Sequence, residues 1–380
     1  MRLQRWFGYL VIFHTVVFLR PAFAQDVRWT HYGVRPLAMG NAFVAVSNDY
    51  NALFYNPAGI ARLDDWYGEL INPGIDISLK TKNVIQKVTG GDEDYTNLDD
   101  TKKMLDVIEK EAGTVHHVGV NWTPHLIFPR FGLGIGLDVG SLFVFHRYPS
   151  AYIKAGPELI FPLSFGKNFL EDRLSVGFNV KYRVKGGVDH EFSIQDIEAF
   201  TSSEKDSAST ATNNDKTELK DFVQGGQGYG CDVGILFTPV KTMAPTLGVS
   251  ITDIGGTPYN VLNVSDSATL GAPKPELPSV NVGMSIKPWQ TETMYLLSAV
   301  DMHSINQPFS YSKKLNLGLE WGFGRIIKIQ AGLHQGYLTG GFQFDVRLLK
   351  IRFATYAEEM GAVAGTLQDR RYALQLKVLI

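Results

Sequence analysis

The chain has almost no cysteine. Cys231 stands alone among 380 residues, which excludes an internal disulfide framework and leaves packing and hydrogen bonding to hold the fold. It has no basic surplus either, with 36 Lys and Arg against 38 Asp and Glu, so it lacks the electrostatic footprint of a nucleic-acid partner. Beyond the first 20 residues no stretch approaches the roughly 18 uninterrupted apolar residues of a membrane helix. Catalytic signatures are missing too. There is no Gly-x-Ser-x-Gly elbow and no His-Glu-x-x-His zinc helix. Gly132-Leu-Gly-Ile-Gly-Leu137 has the glycine density of a dinucleotide loop but the wrong spacing. His116 and His117 are neighbours on an expected strand and point to opposite faces, a poor metal pair. The reading is therefore a non-enzyme with no cofactor, no metal site and no nucleic-acid partner.

What is present starts with an export signal. Arg2 and Arg5 precede an apolar stretch from Trp6 to Leu19, and Ala22-Phe23-Ala24 matches a small-x-small cleavage site. Residues 1–24 are read as a signal peptide, with the mature chain starting at Gln25. Residues 25–64 form a second unit rich in small residues, read as an N-terminal helical hatch or plug. Residues 65–380 are read as a barrel.

The barrel reading rests on period 2. In residues 131–146 every odd position except Ser141 is apolar, while the even positions begin Gly, Gly, Gly, Asp, Gly. In residues 174–185, Leu174, Val176, Phe178, Val180, Tyr182 and Val184 alternate with Ser, Gly, Asn, Lys, Arg and Lys. Sustained alternation means one apolar and one polar face. These runs exceed the usual soluble strand of about 5–6 residues and suit membrane strands of about 9–11 residues with extensions. The pattern recurs at 230–238, 246–254, 280–288, 294–302, 315–323, 327–334, 338–348, 350–358 and 372–380, more weakly at 116–123 and 159–165, and twice briefly at 66–72 and 75–81. Strands can cross lipid only in a closed barrel. The expected fold is all-β, a transmembrane antiparallel barrel of about 14 strands, an even count.

Two interruptions stand out. Residues 83–113 read as a helical loop, with Met104, Leu105 and Ile108 at helical spacing inside 98–111. Residues 186–228 read as a long mobile extracellular loop, because 201–215 has no apolar periodicity. Trp66, Tyr67, Trp122, Phe145, Tyr148, Trp289, Tyr295 and Trp321 suit interfacial girdles. Glu358-Glu359 read as solvated charges at a strand end. Asp369-Arg370-Arg371 suits a lumenal ion pair, a headgroup contact or a solvated turn equally. Two glycosylation-type triplets, at Asn121 and Asn263, carry no weight in a chain of bacterial character.

Function should lie in the plug. Asn48 and Asp49 are good caps for a short helix reaching Tyr55. Pro57 should end that helix at Asn56, and Gly59 permits close packing at the exit. Ala42, Ala45, Ala52, Ala58 and Ala61, with Phe43, Leu53, Phe54 and Tyr55, would give an apolar surface in a polar-walled lumen, suited to a hydrophobic or amphipathic ligand. The candidate hatch and ligand-passage residues are Asn48, Asp49, Phe54, Asn56, Pro57, Ala58 and Gly59.

Leu37-Ala-Met-Gly-Asn-Ala-Phe-Val-Ala-Val-Ser-Asn-Asp49 followed by Asn56-Pro-Ala-Gly59 resembles the N-terminal signature of the FadL-like outer-membrane barrel superfamily, most of all its PorV/PorQ-type branch. Gly228-Tyr-Gly-Cys-Asp-Val-Gly234, Leu277-Pro-Ser-Val-Asn-Val-Gly283 and Asp369-Arg-Arg-Tyr-Ala-Leu-Gln-Leu376 fit the same branch. The resemblance implies a 14-stranded barrel in the bacterial outer membrane, with a hatch held by Asn56, Pro57 and Ala58. It implies passive passage of fatty-acid-like hydrophobic molecules. The partners would be outer-membrane lipids and lipopolysaccharide, a hydrophobic ligand and the barrel-assembly machinery. The alternative is a PorV-like scaffold or shuttle of a protein secretion or surface-attachment system, with a secretion-system or surface protein as partner. One departure is the last residue, Ile380, where such barrels usually end in an aromatic.

Overall fold

The structure, a computed structural model, describes residues 33–89, 101–146, 150–196, 222–262, 270–324, 326–346 and 349–378. Residues 1–24, read as a signal peptide, the residues that follow as far as 32, Tyr148, residues 201–215 and Ile380 lie outside them.

Fourteen antiparallel strands close into one barrel. Three are broken by a bend: β1 (Tyr67–Glu69 and Pro73–Ser78), β2 (Thr114–Trp122 and His125–Phe128) and β3 (Phe131–Gly134 and Gly136–Phe145). The rest are β4 (Ala151–Phe169), β5 (Leu174–Phe192), β6 (Val223–Phe237), β7 (Thr246–Thr252, with Asn260–Val261 pairing further along β6), β8 (Ser279–Gln290), β9 (Met294–Met302), β10 (Leu315–Phe323), β11 (Ile327–His334), β12 (Tyr337–Val346), β13 (Leu349–Glu359) and β14 (Gln368–Val378). Each strand pairs with the next in sequence, and β14 pairs with β1 from Arg371↔Ser78 to Gln375↔Gly74. No edge is left open, as strands in lipid require. Among the described residues no helix is long and apolar enough to cross a membrane.

Among the described residues five short helices decorate this frame: α1 (Val34–Ala38), α2 (Ala52–Tyr55), α3 (Leu79–Thr89), α4 (Thr101–Lys110) and α5 (Tyr311–Lys314). A 3₁₀ segment, Pro57–Arg62, follows α2.

Alternation along each strand sorts the side chains as the sequence pattern requires. On β10, Leu315, Leu317, Leu319 and Trp321 are exposed on the outside, while Asn316 and Glu320 are buried inside. The same belt runs around the wall through Val120, Val139, Phe165, Val249, Ile329 and Leu376. The interior is polar instead, with Asn179, Lys181, Arg183, Asp232 and Asp301 all nearly inaccessible. That inversion of a soluble protein is the pattern of a barrel facing lipid.

The loops are asymmetric. Residues 129–130, 170–173, 291–293 and 324–326 make short turns at one end, while 79–113, 193–222 and 253–278 make long connections at the other.

Several sequence expectations change in detail. The alternation of 75–81 stops at Ser78, where α3 takes over, because Leu79 to Thr89 holds a helical pattern past the sheet. The two short strands at 66–72 and 75–81 are the halves of one strand bent at 70–72. The interruption read as 186–228 shrinks to 193–222, because the Gly-rich flanks pair in register from Gly186↔Gly225 to Val188↔Val223. Glycine content resembled turn chemistry there, but the ladder continues. Glu358 and Glu359 are buried, not solvated. Glu358 meets His334 Nε2 at 3.2 Å, and Glu359 accepts backbone N–H groups of Gly361, Gly365, Thr366 and Leu367. Asp369 and Arg371 form an interior ion pair at 2.6 Å, while Arg370 donates outward to Leu338 O. Trp66, Trp122, Trp289 and Trp321 face outward as girdle residues should. Tyr67 and Tyr295 do not, since both pack inward against the core of the plug.

Candidate functional site

The plug is folded by local rules and fastened by distant ones. Asn51 precedes α2, with its N–H donating to Asp49 Oδ1 at 2.9 Å. Asn56 then turns extended, at φ −156 and ψ 104, the geometry that a following proline imposes. Its Oδ1 accepts from Ala58 N at 3.1 Å, capping the 3₁₀ segment. Its Nδ2 donates to Val44 O within the hatch and reaches Ile235 O and Val249 O on β6 and β7 at 3.3 and 3.4 Å. One buried side chain therefore orders the hatch and ties it to two wall strands.

A second tie lies across the lumen. Arg35 donates through Nε and Nη2 to both oxygens of Glu320 on β10, each at 2.7 Å. Its Nη1 donates to Asn48 Oδ1 at 2.7 Å and Asp49 Oδ2 at 2.9 Å. Burial alone would raise the Asp49 carboxyl, but the Arg35 and Arg352 guanidiniums outweigh it and bring it to about 2. Tyr50 stacks on His125 at 4.2 Å between ring centroids, with Lys377 Nζ 3.8 Å over its other side, and burial pushes its phenol up.

The wall is shaped to receive this backbone. Side chains at Gly177 and Gly234 would collide with Pro57, Ala58 and Asn56, and one at Gly166 with Ala61. Gly248, Gly318, Gly332 and Gly341 sit equally tightly against Ala45, Met39, Gly40 and Ala38. Gly132, Gly134 and Gly136 face Leu53, Ile60 and Phe54, which explains the glycine-dense strand as a docking surface.

The candidate residues converge on this plug with unequal roles. Asn48 is exposed and Asp49 half-buried, both as partners of Arg35. Phe54, Asn56, Pro57, Ala58 and Gly59 are buried, and a side chain at Gly59 would strike Ser47. The apolar hatch surface assigned to a ligand is not open. Phe43, Leu53, Phe54 and Tyr55 pack against Ile127, Ile160, Leu297 and Ala299 in one continuous core. The wall glycines let the hatch dock flush, so its apolar face is consumed by the barrel.

The open space lies elsewhere, and sequence reasoning missed it. A cavity of about 160 Å³ lies between α1 and strands β13, β14 and β1 to β6. Val34, Leu37, Leu142 and Val188 give it an apolar side, and Asp138, Lys154, Glu158 and Lys185 a charged one. Beside it Lys181, Arg183 and Lys185 alternate along the inner face of β5 and hold Asp253 and Glu276 inward. Lys181 meets Asp253 at 3.0 Å, and Arg183 and Lys185 meet Glu276 at 3.5 and 3.3 Å. The run of Lys and Arg on the polar face of β5 was the available signal. The acids that answer it are scattered over more than 100 residues and gave none. Among the described residues no cluster suits a metal ion.

No family model and no curated protein matches the chain. Solved structures do. The CymD monoaromatic hydrocarbon channel superposes on 93% of this chain and 98% of its own, at 12% identity and a TM-score of 0.53. The two share a fold. The Pseudomonas putida toluene transporter TodX aligns over 95% of this chain and 99% of its own at 12% identity and a TM-score of 0.46. A Pseudomonas aeruginosa FadL homologue covers 93% and 99% at 11% identity and a TM-score of 0.35.

Proposed function

We propose that this protein is a bacterial outer-membrane channel that passes small hydrophobic molecules passively, past a hatch folded from its own N-terminus. One observation carries the reading. A closed 14-stranded barrel, with the fold of a monoaromatic hydrocarbon channel, is sealed by the hatch and keeps a cavity of about 160 Å³ beside α1. An apolar cavity of about 150 Å³ is enough for a benzene ring, so the space suits a one-ring compound better than an extended acyl chain. The outward apolar belt supports residence among outer-membrane lipids and lipopolysaccharide. The long connections would face the exterior and the short turns the periplasm. Delivery by the barrel-assembly machinery follows from that residence.

The test is flux of toluene into liposomes containing the purified barrel. Uptake that rises when residues 25–63 are deleted supports the reading. Wild-type liposomes no more permeable than protein-free ones, with no gain on deletion, would overturn it.

A further inference from the structure

The cavity is not lined as a pure hydrocarbon site would be. Most of its charged side chains are already engaged. Asp76 Oδ2 meets His117 Nε2 at 2.5 Å and Tyr356 at 3.2 Å. Glu158 is paired with Arg183, Lys185 with Glu276 and Arg371 with Asp369. Two are different. Asp138 on β3 and Lys154 on β4 both line the cavity, and among the described residues the side chain of neither makes a hydrogen bond or an ion pair.

Their placement is set by the sheet. Asp138 is opposite Glu158, and Leu142 is opposite Lys154. All four share the inner face, since they lie an even number of residues apart on strands in one register. The backbones of Asp138 and Lys154 are thus offset by four residues along the barrel, about 13 Å at 3.3 Å per residue. Asp138 is exposed to the cavity and Lys154 is half-buried beside it. Between them lies Gly140, with Leu142 level with Lys154 and with Val34 and Leu37 of α1 also lining the cavity. An acid and a base held apart across a partly apolar gap form a two-ended site.

We infer that the cavity binds a one-ring zwitterion, its ammonium at Asp138, its carboxylate at Lys154 and its ring against Leu142, Val34 and Leu37. The inference rests on the channel reading and assigns this one cavity a different ligand class, amphiphiles with a charge at each end. A charge-assisted hydrogen bond at each end is about twice as strong as a neutral one. A ligand meeting both ends should outbind one that meets a single end about tenfold or more. A plain hydrocarbon leaves both groups unanswered.

The experiment is calorimetric titration of the full mature barrel in detergent with 4-(aminomethyl)benzoate, benzylamine, benzoate and toluene. The zwitterion should bind tightest. Asp138→Asn should erase its advantage over benzoate and Lys154→Gln its advantage over benzylamine, with toluene unchanged in both. Toluene binding as well as the zwitterion in the wild type would overturn the inference whether or not the variants fold. So would variants that leave the ranking intact. The flux assay separates the two claims. Liposomes that admit toluene while the zwitterion does not bind leave the channel standing and remove only the zwitterion. Zwitterion binding without passage of any probe removes the channel reading.

Discussion

Asn56 commits every polar atom of its side chain to the hatch and its seat, and it is fully buried. Asn56→Ala removes the donor to Val44 O and the side-chain acceptor of the Ala58 N–H. Removing one partner of a buried hydrogen bond costs about 1–3 kcal/mol, so the hatch should loosen while the barrel stays closed. Planar-bilayer recordings should show a higher leak, with unchanged heat-modified mobility on gels. Arg35 is the more severe case. Arg35→Met leaves Glu320 as an uncompensated interior charge, a loss of about 3–5 kcal/mol. Glu320 retains only Tyr295 OH at 2.7 Å and Gln330 Nε2 at 3.1 Å. Chemical denaturation followed by hatch-specific fluorescence should show the hatch leaving its seat at lower denaturant than in the wild type. The Arg35–Asp49 pair also sets an acid limit. Asp49 falls from an ordinary value near 3.9 to about 2 in the fold. A depressed carboxyl contributes stability that is present above the unfolded value and lost as pH falls through the folded one. Channel leak should therefore rise as pH drops from about 4 to about 2, and Asp49→Asn should flatten that rise.

At the scale of elements, the wall strands act through what they omit. Gly177 on β5 and Gly234 on β6 leave room for the backbone of Pro57 and Ala58. Gly177→Val should give a barrel that folds but cannot seat its hatch, with leak equal to that of a variant lacking residues 25–63. Gly255 lies in open space at φ +78, so Gly255→Ala should leave the leak unchanged and cost only about 1–2 kcal/mol of backbone strain. These strands were the most legible part of the sequence. Met294–Met302, Leu315–Phe323 and Ile327–His334 fall where the alternation placed them, because one face must be apolar to meet lipid and the other polar to line the lumen. β4 was less legible. Its alternation is clear only around 159–165, since Gly156 and Pro157 interrupt a ladder that runs for 19 residues. Helix α1 went unread, because Arg35-Pro36 looks like a turn until Glu320 gives the arginine a reason to be buried. The cavity was illegible for the same cause. Its residues come from eight strands and the hatch, and no local pattern says which inner positions stay open.

For the whole molecule, the long connection at 193–222 decides between a channel and a scaffold. Shortening it to a four-residue turn should leave toluene flux within about twofold of the wild type, because the hatch contacts described above do not involve it. Loss of flux together with loss of a co-purifying surface protein would favour the secretion alternative. The ties that hold the hatch also bear on how the chain is built. Arg35 and Glu320 are separated by 285 positions, and Lys377 of the final strand lies over Tyr50. Contacts so remote in sequence form late and slowly. The N-terminal hatch is thus the last part to be fastened. Until β10 and β14 are in place, the hatch has no complete seat and its apolar face has no wall to cover it.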